Sequence, residues 1–255
     1  MTEETTETLY LLGEQDRIVG ISGYTVRPPE ARRDKPKISA FTSAKIDKIL
    51  DLKPDLVLGF SDMQADIAAD LIRAGINVHI FNHRRVSEIF EMIHMLGAMV
   101  DATAKTETLI ADLQAGLDHI AQSASQFKKR PKVYFEEWNE PMIAGIGWVS
   151  DLIELAGGID CFPDLACSHG ATGRIIADPS EVIARAPDII IGSWCGKKFR
   201  PEHVRARDGW SDIPAVRLDH IYEIKSPIIL QPGPAALTGG VTALHEILAG
   251  WSRAR

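Results

Sequence analysis

The stretch DATAKTETLIADLQAGLDHIAQSASQF, residues 101–127, decides the architecture. Leu109, Leu113, Leu117, Ile120, Ala124 and Phe127 recur at steps of four and three, which lays one narrow apolar stripe along a helix. No proline interrupts it, and Gly116 is its only glycine. At ~1.5 Å per residue the helix is roughly 40 Å long, enough to run past a whole lobe. Lys128-Lys129-Arg130-Pro131 closes it, with cations where the helix dipole favours them. We therefore read 101–128 as a connecting helix, 1–100 as an N-terminal lobe and 129–255 as a C-terminal lobe.

On both sides of this helix the chain alternates. Upstream, the pattern predicts a helix over 5–12, a strand over 17–21 and a Gly/Pro-rich loop over 22–39. A helix over 46–52, a strand over 56–60, a helix over 62–74, a strand over 77–81 and a helix over 87–96 ending at Gly97 follow. Downstream it predicts strands over 132–135, 189–192 and 221–224, and helices over 149–156, 179–185 and 239–251. Such alternation means an α/β fold, here two Rossmann-like lobes with parallel sheets. An internal echo agrees: KILDLKPDLVLG (48–59) and EVIARAPDIIIG (181–192) are each a helix, a Pro-Asp stop, an apolar strand and a glycine. Phe60 follows the first and Trp194 the second. Ligands of open parallel sheets sit beyond the C-terminal strand ends, so the expectation is a ligand cleft between the lobes with aromatics from both.

The 255 residues are 45% apolar and 25% charged with a net charge of -7, which excludes disordered and disulfide-scaffold classes. Net acidity argues against a nucleic-acid partner. No apolar run nears the ~20 residues of a membrane-spanning helix. Phosphate-loop, nucleophile-elbow, zincin and dinucleotide fingerprints are missing. Cys161, Cys167 and Cys195 lack zinc-finger spacing, and whether Cys161 and Cys167 pair is open. The start MTEETTET has neither a basic nor an apolar export region, which leaves a cytosolic protein or one whose export signal has been removed.

Tyr24, Phe41, Phe60, Trp138, Trp148 and Trp194 lie at or near predicted strand ends and in adjoining loops. Rigid aromatics there suit a large, flat, partly apolar ligand; core and rim packing is the plainer alternative. Glu136-Glu137 with Glu140 reads as a solvated loop edge. His169 or Cys195 is a candidate axial ligand to a chelated metal. Arg32-Arg33-Asp34-Lys35 and the run from Lys197 to Arg207 are basic, either solvated faces or attractors of an anionic group. A reading from another class is a cytosolic enzyme using Cys195 as nucleophile, with His203 or His169 as base.

The segments DRIVGISGY (16–24) with PPEA (28–31), ILDLKPDLVLG (49–59), WVSDLIELAGG (148–158) and PSEVIARAPDIIIG (179–192) resemble those of a known family. It is that of the substrate-binding proteins of cobalamin and iron-siderophore ABC importers, whose lobes are joined by one rigid helix. The resemblance is greatest to the cobalamin-binding branch and covers nearly the whole chain. It implies a monomeric, non-enzymatic, periplasmic or lipid-anchored protein that delivers a metal chelate to an ABC permease and meets the membrane only there. The chelate would be a corrinoid such as cobalamin, or alternatively a ferric siderophore or haem. Tyr24, Phe41 and Phe60 match pocket aromatics of the first lobe; Trp138 lies in the loop that supplies a second-lobe aromatic, and Trp194 sits where second-lobe loops meet the ligand, with Cys195 and Lys197 beside it as further ligand-binding candidates. Of the two carboxylates that dock such proteins on the permease, Asp47 matches the first. The second falls at Ser180, with Glu181 beside it. In the family a strand of the Arg-Ile-Val-Ser kind precedes the segment matching residues 2–9, so a first lobe without its central strand is expected here.

Overall fold

The computed structural model describes residues 1–254, which form two compact units. The first holds Met1–His83 and Ser87–Asp112; the second holds Arg84–Val86 and the chain from Leu113 onward. Through the first unit the chain runs α1 (Glu3–Leu11), β1 (Ile21–Ser22), α2 (Ala31–Asp34), β2 (Lys37–Ser39), α3 (Ile46–Asp51), β3 (Leu56–Phe60), α4 (Ala65–Arg73), β4 (Asn77–Phe81) and α5 (Val86–Met99). The long helix, α6 (Thr103–Ala124), is unbroken for 22 residues and carries the boundary between the units.

In the first unit β3 and β4 pair in parallel from Leu56–Asn77 to Phe60–Phe81, with α4 as the crossover. The pair packs its apolar face on Ile38, Ile49 and Leu71. β1 and β2 form a second parallel pair, Ile21 against Lys37 and Ser22 against Ser39. Here the structure corrects the expected strand over 17–21 and the expected loop over 22–39. Residues 15–17 make a single 3-10 turn, and the ladder forms only where residues 37–39 offer a partner. A strand needs a neighbour for its N–H and C=O groups, and residues 17–20 have none. They line a cavity of about 270 Å³ instead, together with residues 52–58. The two pairs thus stay separate sheets among the described residues. The N-terminal ammonium of Met1 lies at this cavity and donates to Leu58 O at 2.7 Å.

The expected helix stop at Gly97 is also corrected: α5 continues to Met99. A Cβ on Gly97 would lie 1.8 Å from Thr106 Oγ1, so this glycine allows α5 and α6 to touch rather than ending a helix.

Through the second unit run β5 (Lys132–Asn139), β6 (Met142–Ala144), α7 (Gly147–Leu155), β7 (Ile159–Asp160), α8 (Pro163–Ala166), α9 (Ser180–Arg185), β8 (Ile189–Gly192), α10 (Pro201–Arg205), α11 (Pro214–Arg217), β9 (Ile221–Glu223), α12 (Ser226–Ile229) and α13 (Val241–Arg253). The sheet order is β6-β5-β8-β9, with β7 also on β5. All pairings are parallel except the β5–β6 hairpin. Ile189, Ile190 and Ile191 are fully buried, as expected of a central parallel strand covered on both faces. Tyr134, Phe162, Trp194, Phe199 and Trp210 fill one side of this core. The chain is therefore α/β with parallel sheets in two units and one long helix.

Candidate functional site

In the first unit the candidate aromatics follow the C-terminal ends of strands. Tyr24 comes two residues after β1 and is exposed. Phe41 follows β2 and is half-buried. Phe60 ends β3, buried, edge-on to the His83 ring at 5.1 Å. One buried residue with no sequence signal ties two of these together. Gln64 accepts from Phe60 N at 3.1 Å and donates to Phe41 O at 2.9 Å. The next residue after Phe60, Ser61, has φ +73° and ψ 156°, a region nearly reserved for glycine, at a cost of about 1–3 kcal/mol. Its N–H donates to Phe81 O and its hydroxyl accepts from Met63 N, which hold it there.

The basic run at Arg32 is exposed through Asp34, as a solvated face would be. Arg32 donates to Gly23 O and Thr25 O at 3.1 and 2.9 Å and so fixes the loop that carries Tyr24.

In the second unit the C-terminal part of β5 and the turn after β8 carry the candidates. The expected solvated edge at Glu136-Glu137 is corrected: both residues lie within β5 and both are clamped by arginines. Glu137 receives Arg174, itself buried, through two hydrogen bonds of 2.5 and 3.0 Å. Glu136 is fully buried and accepts four hydrogen bonds: two from Arg207 (2.5 and 2.9 Å), one from Tyr134 Oη (2.8 Å) and one from Trp194 Nε1 (2.9 Å). Burial opposes the charge on Arg207, but the hydrogen bonds and charge of Glu136 outweigh it and raise its pKa. Burial, then the charge of Glu136, pushes the Tyr134 hydroxyl well above its ordinary range, so it stays a donor.

This network fixes Trp194, which is 2% exposed and stands edge-on to Phe199 at 4.9 Å. Gly192 is needed there, since its Cβ would lie 1.9 Å from the Phe199 ring. Trp138, half-buried, donates its indole N–H to Glu140 O. Lys197 lies 5.3 Å from the ring centroids of both Trp138 and Trp194 and donates to Asn139 Oδ1 at 3.0 Å. Cys195 is exposed in the same turn.

The remaining candidates stand apart from this cluster. Trp148 is buried in the first turn of α7, where it donates to Ile229 O at 2.9 Å. His169 is exposed in the loop after α8, and its carbonyl accepts from Arg84 Nε. No group of three or more His, Cys, Asp or Glu side chains able to hold a metal ion occurs among the described residues. Asp47 and Glu181 are exposed in the first turns of α3 and α9; Glu181 faces Arg185 at 3.8 Å. Cys161 and Cys167 are not joined, and burial pushes the Cys161 thiol up to about 12. No helix is long and apolar enough to cross a membrane among the described residues.

Known proteins resemble this chain in sequence and in fold. A family model described as "Periplasmic binding protein" matches residues 1–228. An uncharacterized ABC transporter substrate-binding lipoprotein of Bacillus subtilis is 27% identical over 240 residues, covering 92% of this chain and 74% of the relative. A vitamin B12-binding protein of Vibrio parahaemolyticus is 24% identical over 247 residues, covering 93% of this chain and 84% of the relative. A periplasmic haem-binding protein of Roseiflexus sp. RS-1, solved in apo form, has a TM-score of 0.81 at 22% identity and covers 97% of each chain. At that identity the likeness is one of fold.

Proposed function

The chain belongs to the periplasmic binding protein family, and from that premise we propose that it captures a metal chelate, a corrinoid such as cobalamin, and delivers it to an ABC permease. It would do so outside the cytoplasm. The observation that carries this reading is the set of aromatics left open near the C-terminal strand ends of each unit: Tyr24 and Phe41 in one and Trp138 in the other, with Phe60 and Trp194 buried at the same strand ends. Indole and phenyl faces match a large flat ligand with little entropy to lose on binding. The vitamin B12-binding relative supports a corrinoid in particular. A second reading, haem or a ferric siderophore, is favoured by the haem-binding fold neighbour and by the cationic Lys197 at the second edge.

Titration with cyanocobalamin, haemin and ferric siderophores, read by tryptophan fluorescence, tests both. Saturable quenching by cyanocobalamin is expected. Silence with every corrinoid up to high micromolar, together with saturation by haemin or a siderophore, would replace the first reading by the second.

Asp47 and Glu181 are the carboxylates through which the protein would meet arginines of the permease. The double variant Asp47→Ala, Glu181→Ala should bind ligand as wild type does and fail to support uptake in cells carrying the permease. Undiminished uptake would remove both residues from docking.

A further inference from the structure

The turn Trp194-Cys195-Gly196-Lys197 folds a cation back over two indoles. Gly196 has φ +68°, as a turn with a left-handed third residue requires, and Lys197 N–H reaches Trp194 O at 3.3 Å. The turn returns the lysine to the C-terminal end of β5, where Asn139 takes one of its three ammonium hydrogens at 3.0 Å. The faces of Trp138 and Trp194, each with its centroid 5.3 Å from Nζ, attract the charge. Both rings are anchored independently of the lysine, Trp138 to Glu140 O and Trp194 to Glu136.

No carboxylate answers this cation. The two acids of β5 that could do so are taken, Glu136 by Arg207 and Glu137 by Arg174, and Lys197 forms no ion pair among the described residues. An exposed ammonium without a carboxylate partner is open to an anion arriving from solvent. With two hydrogens left to donate, this one is an oxyanion receptor by its chemistry.

We infer that Lys197, held between Trp138 and Trp194, is a subsite for a peripheral oxyanion of the ligand. The inference rests on the chelate reading and narrows it to chelates that carry such a group. Two sources supply it: the phosphodiester in the nucleotide loop of a complete corrinoid, or the carboxylates of a tetrapyrrole. A chelate with only neutral amide arms would gain nothing at this position.

The test compares wild type with Lys197→Gln and Lys197→Arg on two probe pairs: cyanocobalamin against dicyanocobinamide, which lacks the phosphodiester, and haemin against haemin dimethyl ester. Lys197 is exposed, so the variants should keep the wild-type thermal midpoint. Lys197→Gln should weaken the charged member of the bound pair by about tenfold, leave the neutral member within about twofold, and flatten the salt dependence. Lys197→Arg should restore most of the loss. The pair that responds identifies the source of the oxyanion. Equal weakening of both members, or of neither, overturns the inference while the chelate reading stands. Wild-type protein that binds none of the four probes overturns the corrinoid and haem readings and the inference together.

Discussion

Replacing Arg207 by methionine should cost about 3–5 kcal/mol of folding stability, the largest loss we expect from any single substitution in the second unit. The argument runs through Glu136. Its carboxylate is fully buried, and the structure gives it a single cation, bound at both oxygens. Methionine fills most of the volume of the arginine stem and leaves the carboxylate with only the Tyr134 and Trp194 donors. An uncompensated buried charge is far costlier than an absent one. The double variant Glu136→Gln, Arg207→Met should therefore recover most of the loss, because it removes the charge, keeps an oxygen for Trp194 Nε1 and sets its NH2 to donate to Tyr134 Oη, which can accept. Urea denaturation of the three proteins decides the matter. A single-variant loss below about 1 kcal/mol, or a double variant no better than the single, would show that the pair does not hold the core together.

That pair also shows what the amino-acid sequence can and cannot tell of this molecule. The helix over 101–127 was legible because its signal is local: a period, no breakers and a basic close. β3 and β8 were legible for a similar reason, since a short apolar run between Pro-Asp and Gly has few other uses. β5 was legible only to Phe135. Its continuation through Glu136 and Glu137 looks polar until Arg207 and Arg174 neutralise it, 71 and 37 residues away. Sequence spacing carries no trace of such partners. β1 and β2 contribute two and three residues to their ladder, too few for any period to show. In the site the same division holds. Aromatics near strand ends could be picked out, but not what orients them: Gln64 under Phe41 and Phe60, Arg32 under the Tyr24 loop, Glu136 behind Trp194. Trp148 had the same residue type as Trp194 and is as deeply buried; what sets it apart is its place within α7, where its indole N–H donates to Ile229 O.

The second large effect is a gain. Glu4→Gln should stabilise the protein by about 3 kcal/mol at pH 8 and by almost nothing at pH 4. In α1, residues Glu4 to Leu9 are all buried, and Glu4 is 1% exposed. One of its oxygens accepts from Thr2 Oγ1; the other, Oε1, meets no donor. Burial first, and the charge of Glu3 second, push the carboxyl up to about 7. The nearby N-terminal ammonium of Met1 gives little help, because burial brings its pKa down to about 6 and leaves it neutral at pH 8. The sign follows. Below about pH 4.5 the carboxyl is protonated whether folded or unfolded, and ionisation costs the fold nothing. Between about 4.5 and 7 the unfolded chain ionises while the folded one holds its proton, so stability falls as pH rises. Above about 7 the folded carboxyl ionises as well, and the full cost of the 2.5-unit gap persists. Glutamine keeps the shape and an acceptor for Thr2 but cannot ionise, so its advantage should grow through that same window. Removing the charge also relieves Glu3, which burial raises in the same direction. Thermal melts of the two proteins from pH 4 to pH 8 make the comparison, with every other titrating group common to both. A variant no more stable than wild type at pH 8, or a gain that does not shrink toward pH 4, would mean that Glu4 reaches solvent in the folded protein and that α1 is less tightly enclosed than the structure shows.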